Sequence, residues 1–202
     1  MNHRDTEGRR ERKWLYFLYA FTIFWGGCAR LAVEERDLDV EAGTTIKVEF
    51  IETAPTDRFI ITNTSSCVLE ELTLELDLSP SAGMLIFDTS ATGAGVDVFQ
   101  PFEVQEGNIV PLNRSGVADG DTELALRITD LNPGDRAIFT IDVDDTRQNG
   151  EFGQSRVTES EISGAIVSIT VDDSKATSTF GDESTARVAL SECLVAQYSF
   201  GY

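Results

Sequence analysis

The stretch ELALRITDLNPGDRAIFTIDVDDT, from Glu123 to Thr146, decides the fold class. Apolar and polar residues alternate on both sides of a central Asn132-Pro133-Gly134-Asp135, which is the period of strands with one buried face. Proline holds φ at about −65° and glycine accepts a positive φ, so these four residues predict a type II turn. The stretch therefore predicts an antiparallel hairpin whose second strand ends in acid.

The same alternation recurs along the chain and is clearest from Leu69 to Leu78. No window after residue 30 keeps a helical period over three turns. Many short strands punctuated by glycine and proline predict an all-β fold, an antiparallel β-sandwich of the immunoglobulin-like or jelly-roll kind. The other predicted strands are Thr45–Ile51, Phe59–Thr62, Met84–Phe87, Val96–Phe102, Ile109–Leu112, Val157–Ile162, Ala165–Val171, Arg187–Leu190 and Leu194–Phe200.

The first 29 residues have the layout of an export signal. An apolar run from Trp14 to Trp25 follows four basic residues and precedes small ones, and it is shorter than the roughly 20 residues of a spanning helix. We expect a signal helix over 1–29, a lead-in over 30–44 and one β-sandwich domain over 45–202. Gly26-Gly27-Cys28 is also similar to a lipobox, which makes Cys28 a candidate for lipidation; otherwise cleavage would follow Ala29.

The net charge of the chain indicates which classes of binding partner are favoured. The net charge is −19 over 202 residues, and the first 28 residues hold five of the 16 basic residues but only three of the 35 acidic ones. The remainder is therefore strongly acidic, which disfavours nucleic acid and anionic lipid and favours cations. Contact with a membrane is expected only through a lipid anchor or an uncleaved signal.

The composition excludes most common catalytic mechanisms. The one histidine, His3, lies in the predicted signal, so the expected mature domain has no imidazole for a Ser-His-Asp triad or a common zinc site. Lys47 and Lys175 are its only lysines, and neither sits in a Ser-x-x-Lys motif. Both tryptophans also lie in the signal, which weakens sugar binding on aromatic platforms. We expect a protein that is not an enzyme.

Two cysteines remain after the signal, Cys67 and Cys193. Export would place both in an oxidising compartment, where paired cysteines usually form disulfides. The sequence predicts a Cys67–Cys193 bridge, with two buried free thiols as the alternative.

Acidic residues cluster where two predicted strands end. They suit calcium, which takes six to eight oxygen ligands, although their spacing matches no EF-hand loop. The sequence predicts a calcium site built from some of these residues, provided that the fold brings the two strand ends together; a solvated acidic rim is the alternative. The candidates are Asp142, Asp144, Asp145, Asp172 and Asp173.

Several stretches resemble small exported bacterial proteins labelled aggregation-factor-core proteins, after a sponge cell-adhesion proteoglycan core. The most distinctive are VFQPFEV and FTIDVDDT, and the similar segments are Asp57–Cys67, Leu72–Thr89, Gly93–Val104, Asp119–Thr146 and Ser160–Ile169. The resemblance implies a non-catalytic protein that is secreted, periplasmic or on the outer surface of a bacterium and binds cell-surface or matrix components, with calcium-dependent adhesion. The alternative is a module of the envelope that binds a small ligand or a polysaccharide.

Overall fold

The structure, a computed structural model, describes residues 46–53, 56–96, 99–113, 116–147, 154, 156–181 and 183–190. As predicted, these residues form an all-β fold, in which every strand pairs antiparallel. They also contain one short helix, α1 (Glu159–Ile162), which was not predicted. The predicted signal helix, Cys28, the lead-in and Cys193 lie outside the described residues. The strands are β1 (Ile46–Ile51), β2 (Arg58–Asn63), β3 (Leu69–Asp77), β4 (Leu85–Asp88), β5 (Glu103–Glu106), β6 (Asn108–Pro111), β7 (Glu123–Leu131), β8 (Arg136–Thr140), β9 (Asp142–Asp145), β10 (Ile166–Val171), β11 (Ser174–Thr179) and β12 (Thr185–Val188).

The described strands form two five-stranded sheets and one two-stranded ribbon. The first sheet has the order β12-β1-β2-β8-β5, the second β11-β10-β3-β7-β6, and the ribbon pairs β4 with β9. Most pairings are nested, because β1 pairs with β12, β3 with β10, β4 with β9, β5 with β8 and β6 with β7. The first half of the chain therefore folds back antiparallel along the second half.

Inward side chains of both five-stranded sheets belong to one hydrophobic core. In β3 the alternation places Leu72, Leu74 and Leu76 inside, as predicted. In the first sheet the rings of Phe59 and Phe139 stack with centroids 5.1 Å apart. Each such side chain contributes about 1.5–3 kcal/mol on burial, so the core is the main stabilising element.

The predicted hairpin between β7 and β8 is wrong, although its turn is right. Gly134 has φ of 80°, and the Asp135 amide donates to the Asn132 carbonyl at 2.9 Å. However, β7 pairs with β3 and β6 in one sheet, and β8 pairs with β2 and β5 in the other. The buried Asn63, at the end of β2, exchanges backbone hydrogen bonds with the turn and donates its side-chain amide to the Leu131 carbonyl at 2.9 Å. The turn is thus attached to β2, and the chain crosses from one sheet to the other.

Two further predicted strands differ from the structure, and two observed strands, β5 and β11, were not predicted. The segment Val157–Ile162 ends in α1 rather than in a strand, because the amide and hydroxyl of Thr158 donate to the Glu161 carboxylate and start a helix. The described part of Val96–Phe102 is a loop. Strand β11 was not predicted; it pairs with β10 across a two-residue turn.

Candidate metal centre

Three buried aspartates meet on one face of the β4–β9 ribbon. In the antiparallel register Asp88 lies opposite Asp142, and Asp144 lies two residues further along β9 on the same face. One carboxylate oxygen from each of Asp88, Asp142 and Asp144 lies within 4.8 Å of the others. All three side chains are buried, with exposed fractions of 0%, 6% and 1%. We refer to these residues as the aspartate triad.

The triad has buried oxygens that lack hydrogen-bond partners. Oδ2 of Asp88, Oδ2 of Asp142 and Oδ1 of Asp144 accept no hydrogen bond, and neither does Oε1 of Gln100. Gln100 belongs to the same region, because its amide donates to the Asp88 carbonyl and its carbonyl accepts from the Asp142 amide. A buried polar atom left without a partner costs about 1–3 kcal/mol, and more when it is charged. The three unpartnered oxygens of the triad are therefore a group of ligand atoms that could bind a cation.

Residues 89–96, which we call the covering segment, close over the triad with backbone donors. The Val96 amide donates to Asp144 Oδ2 at 2.7 Å, and the Ser90 amide donates to Asp88 Oδ1 at 3.2 Å. The carboxylate of Asp119 holds the segment from its other side through the amides of Thr89 and Ala94, at 3.0 and 2.6 Å. These amide hydrogen bonds lower the pKa of Asp119 below its ordinary value. Asp119 is thus an anionic anchor for the covering segment.

Gly95 allows the covering segment to approach the triad. A Cβ atom at this position would lie 2.2 Å from Asp88 Oδ2 and 2.3 Å from Asp144 Oδ2. Real Cβ contacts are essentially never shorter than 3.0 Å. Only glycine fits here unless the two carboxylates move.

The electrostatics of the triad favour either bound protons or a bound cation. Burial away from water, followed by nearby carboxylates, raises the pKa of Asp142 from 3.8 to about 7. Burial likewise raises the pKa of Asp144 to about 7 and the pKa of Asp88 above its ordinary value. A cation beside the carboxylates would reverse these shifts, because an opposite charge within a few ångströms favours the ionised form.

A second buried acid lies close to the triad. Asp57 accepts the Val143 amide at 3.0 Å, and burial together with the neighbouring Glu52 raises its pKa to about 9. Glu52 is partly exposed and lies 4.0 Å from the guanidinium of Arg156. Asp57 therefore holds the centre of β9 in place and can remain neutral when the triad is ionised.

The donor set fits a hard cation. The triad supplies three carboxylates, with no sulfur or imidazole among them. Calcium and magnesium prefer such oxygen ligands, whereas zinc and copper prefer nitrogen and sulfur. Asp88, Asp142 and Asp144 would hold the ion.

The structure brings together two of the five aspartates predicted from the sequence. Asp142 and Asp144 belong to the triad. Asp145, the next residue on β9, lies on the other face of the strand, beside Glu161. Asp172 and Asp173 are the exposed turn between β10 and β11, and Asp172 has φ of 50°. Strand β10 begins opposite Asp77, at the end of the second sheet that is nearer to the triad. Asp172 and Asp173 follow the other end of β10 and therefore lie away from the triad.

Sequence reasoning missed Asp88, Gln100 and Gly95. Asp88 ends β4, so the pattern of a short apolar run followed by an acid could have identified it as another acidic strand end. Nothing in the sequence indicates that β4 pairs with β9. Gln100 and Gly95 lie in irregular backbone, where no periodicity points to a site.

No protein-family model, curated protein or solved structure matches the chain. Within the described residues, no helix has the length and apolar character needed to cross a bilayer.

Proposed function

We propose that this protein is a non-catalytic secreted or cell-surface β-sandwich module of the adhesion or matrix type, and that calcium at the aspartate triad stabilises its fold. The observation that carries the proposal is the set of unpartnered buried oxygens on Asp88, Asp142 and Asp144. Burying three ionised carboxylates together is unfavourable unless protons or a cation neutralise them, and their arrangement within 4.8 Å supports a cation.

The finer fold class that we propose is a jelly roll. Its support is the nested pairing, in which the first half of the chain runs antiparallel along the second half, together with one core shared by both five-stranded sheets. Jelly rolls combine two antiparallel sheets in this way. An immunoglobulin-like arrangement does not require such nesting.

Calcium is favoured over magnesium by the way the ligands are held. Magnesium needs near-ideal octahedral geometry and keeps several waters, whereas calcium accepts six to eight oxygens in flexible arrangements. The triad is buried beneath the covering segment, which leaves little room for a shell of water. Calcium is also the hard cation available outside the cell at millimolar concentration.

The adhesive role rests on different support. The resemblance to aggregation-factor-core proteins and the export-signal layout point to a surface protein. The acidic charge of the chain adds a physical reason, since calcium ions can bridge acidic surfaces of two molecules that would otherwise repel.

Thermal unfolding in EDTA and in calcium tests the cation. Extracellular calcium sites have Kd of about 0.1–1 mM, so about 10 mM calcium stabilises the fold by roughly 1.4–2.7 kcal/mol. For a domain of this size the Tm should rise by about 3–11 °C. The variant Asp144→Asn should lose this rise, and the matched variant Asp173→Asn, in the distant turn, should keep it. An equal Tm in EDTA and calcium for the unmodified protein contradicts the proposal.

Adhesion is tested by coating beads with the purified protein. We expect the beads to aggregate in calcium and to disperse when EDTA is added, and beads coated with Asp144→Asn to aggregate less. Beads that stay dispersed in both conditions contradict the adhesive role without contradicting the calcium site.

A binding module of the envelope is the second candidate, and one observation favours it. A groove of about 520 Å³ lies on the outer face of β3, β7 and β10, lined by Glu75, Asp77, Glu123 and Ser168 among others. Its polar side chains could hydrogen-bond a sugar hydroxyl. Binding on a glycan array that Glu75→Ala abolishes would favour this function over adhesion.

A further inference from the structure

Strand β11 forms an open edge of the second sheet. It pairs with β10 on one side, and no strand of the described residues pairs with its other side. None of its six residues is buried, and Lys175, Thr177 and Thr179 are exposed. Its register with β10 is continuous from Ser174 to Thr179, without a bulge. β11 therefore presents a regular strand edge to solvent.

The pairing with β10 determines which backbone groups point out from this edge. The Phe180 amide donates to the Ala165 carbonyl at 2.9 Å, which continues the register of the two strands. Because hydrogen-bonded pairs alternate along an antiparallel ladder, every second residue of β11 before Phe180 also bonds to β10. The backbone amides and carbonyls of Lys175, Thr177 and Thr179 therefore point away from the sheet, and they hydrogen-bond to no other described residue.

The other three edges of the two five-stranded sheets are obstructed. Strand β5 carries two glutamates among four residues and has a break in its register. Strand β6 ends in Pro111, which has no amide hydrogen to donate. Strand β12 has only four residues, and its Thr185 carbonyl already accepts the Gly181 amide at 3.1 Å. Charge, bulges, proline and short length are the features that keep edge strands from pairing, so β11 is the edge best able to accept another strand.

The charge of β11 suits a second copy of the same chain. The net charge of −19 makes two copies repel each other over most of their surfaces. Strand β11 contains no acidic residue, and its one charged side chain, Lys175, forms an ion pair with Glu75 at 2.5 Å. Two copies can therefore meet along β11 without placing acidic side chains of the paired strands opposite each other.

Two β11 strands can pair antiparallel in a symmetric register. When Thr177 lies opposite Thr177 of the second copy, the outward groups of Lys175 meet those of Thr179 of the second copy, and the reverse. Each such pair exchanges two hydrogen bonds, so this register uses all the outward groups of both strands. The facing side chains are threonine with threonine and lysine with threonine, so no like charges are opposed.

We propose that β11 is a self-association surface, at which two copies of this chain join their second sheets edge to edge across a two-fold axis. Such an interface is isologous, because the same strand serves on both sides. A contact of one strand is small, so the dimer should be weak and favoured by the high local concentration of a crowded surface. The contact uses no residue of the aspartate triad, so the failure of either proposal leaves the other standing.

Sedimentation equilibrium of the purified protein, from about 10 µM to about 1 mM, tests the proposal. We expect monomers at the low end and dimers at the high end. Thr177→Glu and Thr177→Lys each oppose like charges in the symmetric register, so each variant alone should stay monomeric. An equimolar mixture of the two variants should dimerise again, because the charges that meet are then opposite. Val110→Glu and Val110→Lys, at an exposed position of the β6 edge, are the matched controls and should dimerise as the unmodified protein does.

Hydrogen exchange gives a second readout at the edge itself. The amides of Lys175, Thr177 and Thr179 should exchange rapidly in dilute protein and slowly in concentrated protein. Monomers at every concentration would overturn the proposal, and so would dimers that persist in both Thr177 variants. Slow exchange that is independent of concentration would show that another part of the chain covers β11, which also overturns it.

The Thr177 hydroxyl lies 3.0 Å from the Ser168 hydroxyl, so its replacement could disturb the fold. If either Thr177 variant loses its β-type circular dichroism, Thr179→Lys replaces it. This change opposes a second positive charge to Lys175 of the second copy, and it should also abolish the dimer. Dimers of a folded Thr179→Lys protein with undiminished affinity would overturn the proposal.

Discussion

Replacing Gly95 with alanine is the sharpest perturbation of the triad that leaves every ligand in place. The added methyl carbon would lie 2.2 Å from Asp88 Oδ2 and 2.3 Å from Asp144 Oδ2, about 1 Å inside the closest contacts that proteins tolerate. Gly95 does not have a positive φ, so alanine suits its backbone and the effect comes from contact alone. Either the covering segment lifts or the two carboxylates turn away from the position of the cation.

The size of the effect follows from the site. If calcium binding stabilises the fold by roughly 1.4–2.7 kcal/mol at about 10 mM, a variant that cannot bind loses all of it. Overpacking adds about 1–3 kcal/mol of destabilisation that is independent of calcium. The Tm of Gly95→Ala should therefore fall in both conditions, and the difference between EDTA and calcium should vanish.

Differential scanning calorimetry of three proteins, each in EDTA and in calcium, separates the loss of calcium binding from the cost of overpacking. The unmodified protein and Gly95→Ala are each measured in EDTA and in calcium, and Gly181→Ala serves as the control because its added Cβ has nothing closer than 3.9 Å. Gly181→Ala should keep the full calcium-dependent rise in Tm. A Gly95→Ala protein that also keeps the full rise would refute the reasoning that places the cation between Asp88 and Asp144.

Four further outcomes are expected. Asp172→Asn combined with Asp173→Asn should leave calcium affinity in dialysis unchanged, because both residues form a distant hairpin turn; a loss of affinity would show that the turn reaches the triad. Asn63→Ala should lower the free energy of unfolding, measured by urea titration, by about 3 kcal/mol, because the carbonyls of Leu131 and Cys67 lose the buried Asn63 amide that donates to them at 2.9 and 2.8 Å. The control Asn108→Ala, at an exposed position, should change the free energy of unfolding by less than about 0.5 kcal/mol. In EDTA the Tm should fall as pH rises from about 5 to about 8, because the raised pKa values of Asp142, Asp144 and Asp57 make the folded protein hold protons that the unfolded chain, with an aspartate pKa of 3.8, has released. Calcium, which replaces the protons of the triad but not the proton of Asp57, should make this fall smaller, and a Tm in EDTA that is flat or rises with pH would contradict the shifts. Non-reducing mass spectrometry of the secreted protein should find Cys67 and Cys193 bridged, and two free thiols would contradict that pairing.

The strands of this fold are readable from its sequence because their alternation is a local property. In β3, every second residue must be apolar to reach the core, so Leu72, Leu74 and Leu76 identify the strand without knowledge of its neighbours. The pairing of each strand with its neighbours, however, depends on residues that are far apart in the sequence. The turn at Asn132–Asp135 specifies that the chain reverses, but the hydrogen bonds of Asn63 decide that β8 pairs with β2 instead of β7.

The candidate site divides in the same way. Alternation along β9 was enough to put Asp142 and Asp144 on one face, so two members of the triad could be predicted. Asp88 joins them through the pairing of β4 with β9, which no local pattern encodes. Asp172 and Asp173 gave a misleading signal, because aspartate is also a favoured residue of tight hairpin turns that require a positive φ. Acidic residues at the end of a strand can therefore belong either to a candidate site or to a turn, and the pairing of the neighbouring strand determines which.

The same pairing explains why the ribbon should be the element that depends most on the cation. A two-stranded sheet is marginal by itself, and this one has a core face, with Phe87 and Val143, and an acidic face, with Asp88 directly opposite Asp142. Like charges in directly opposed positions destabilise a strand pair. A divalent cation between Asp88 and Asp142 would replace this repulsion with an attraction of both carboxylates to the ion, so the two strands would be held together on this face of the ribbon. The calcium ion that we propose would therefore link β4 to β9 across the ribbon, whereas the hydrophobic core, which needs no ion, holds the two larger sheets.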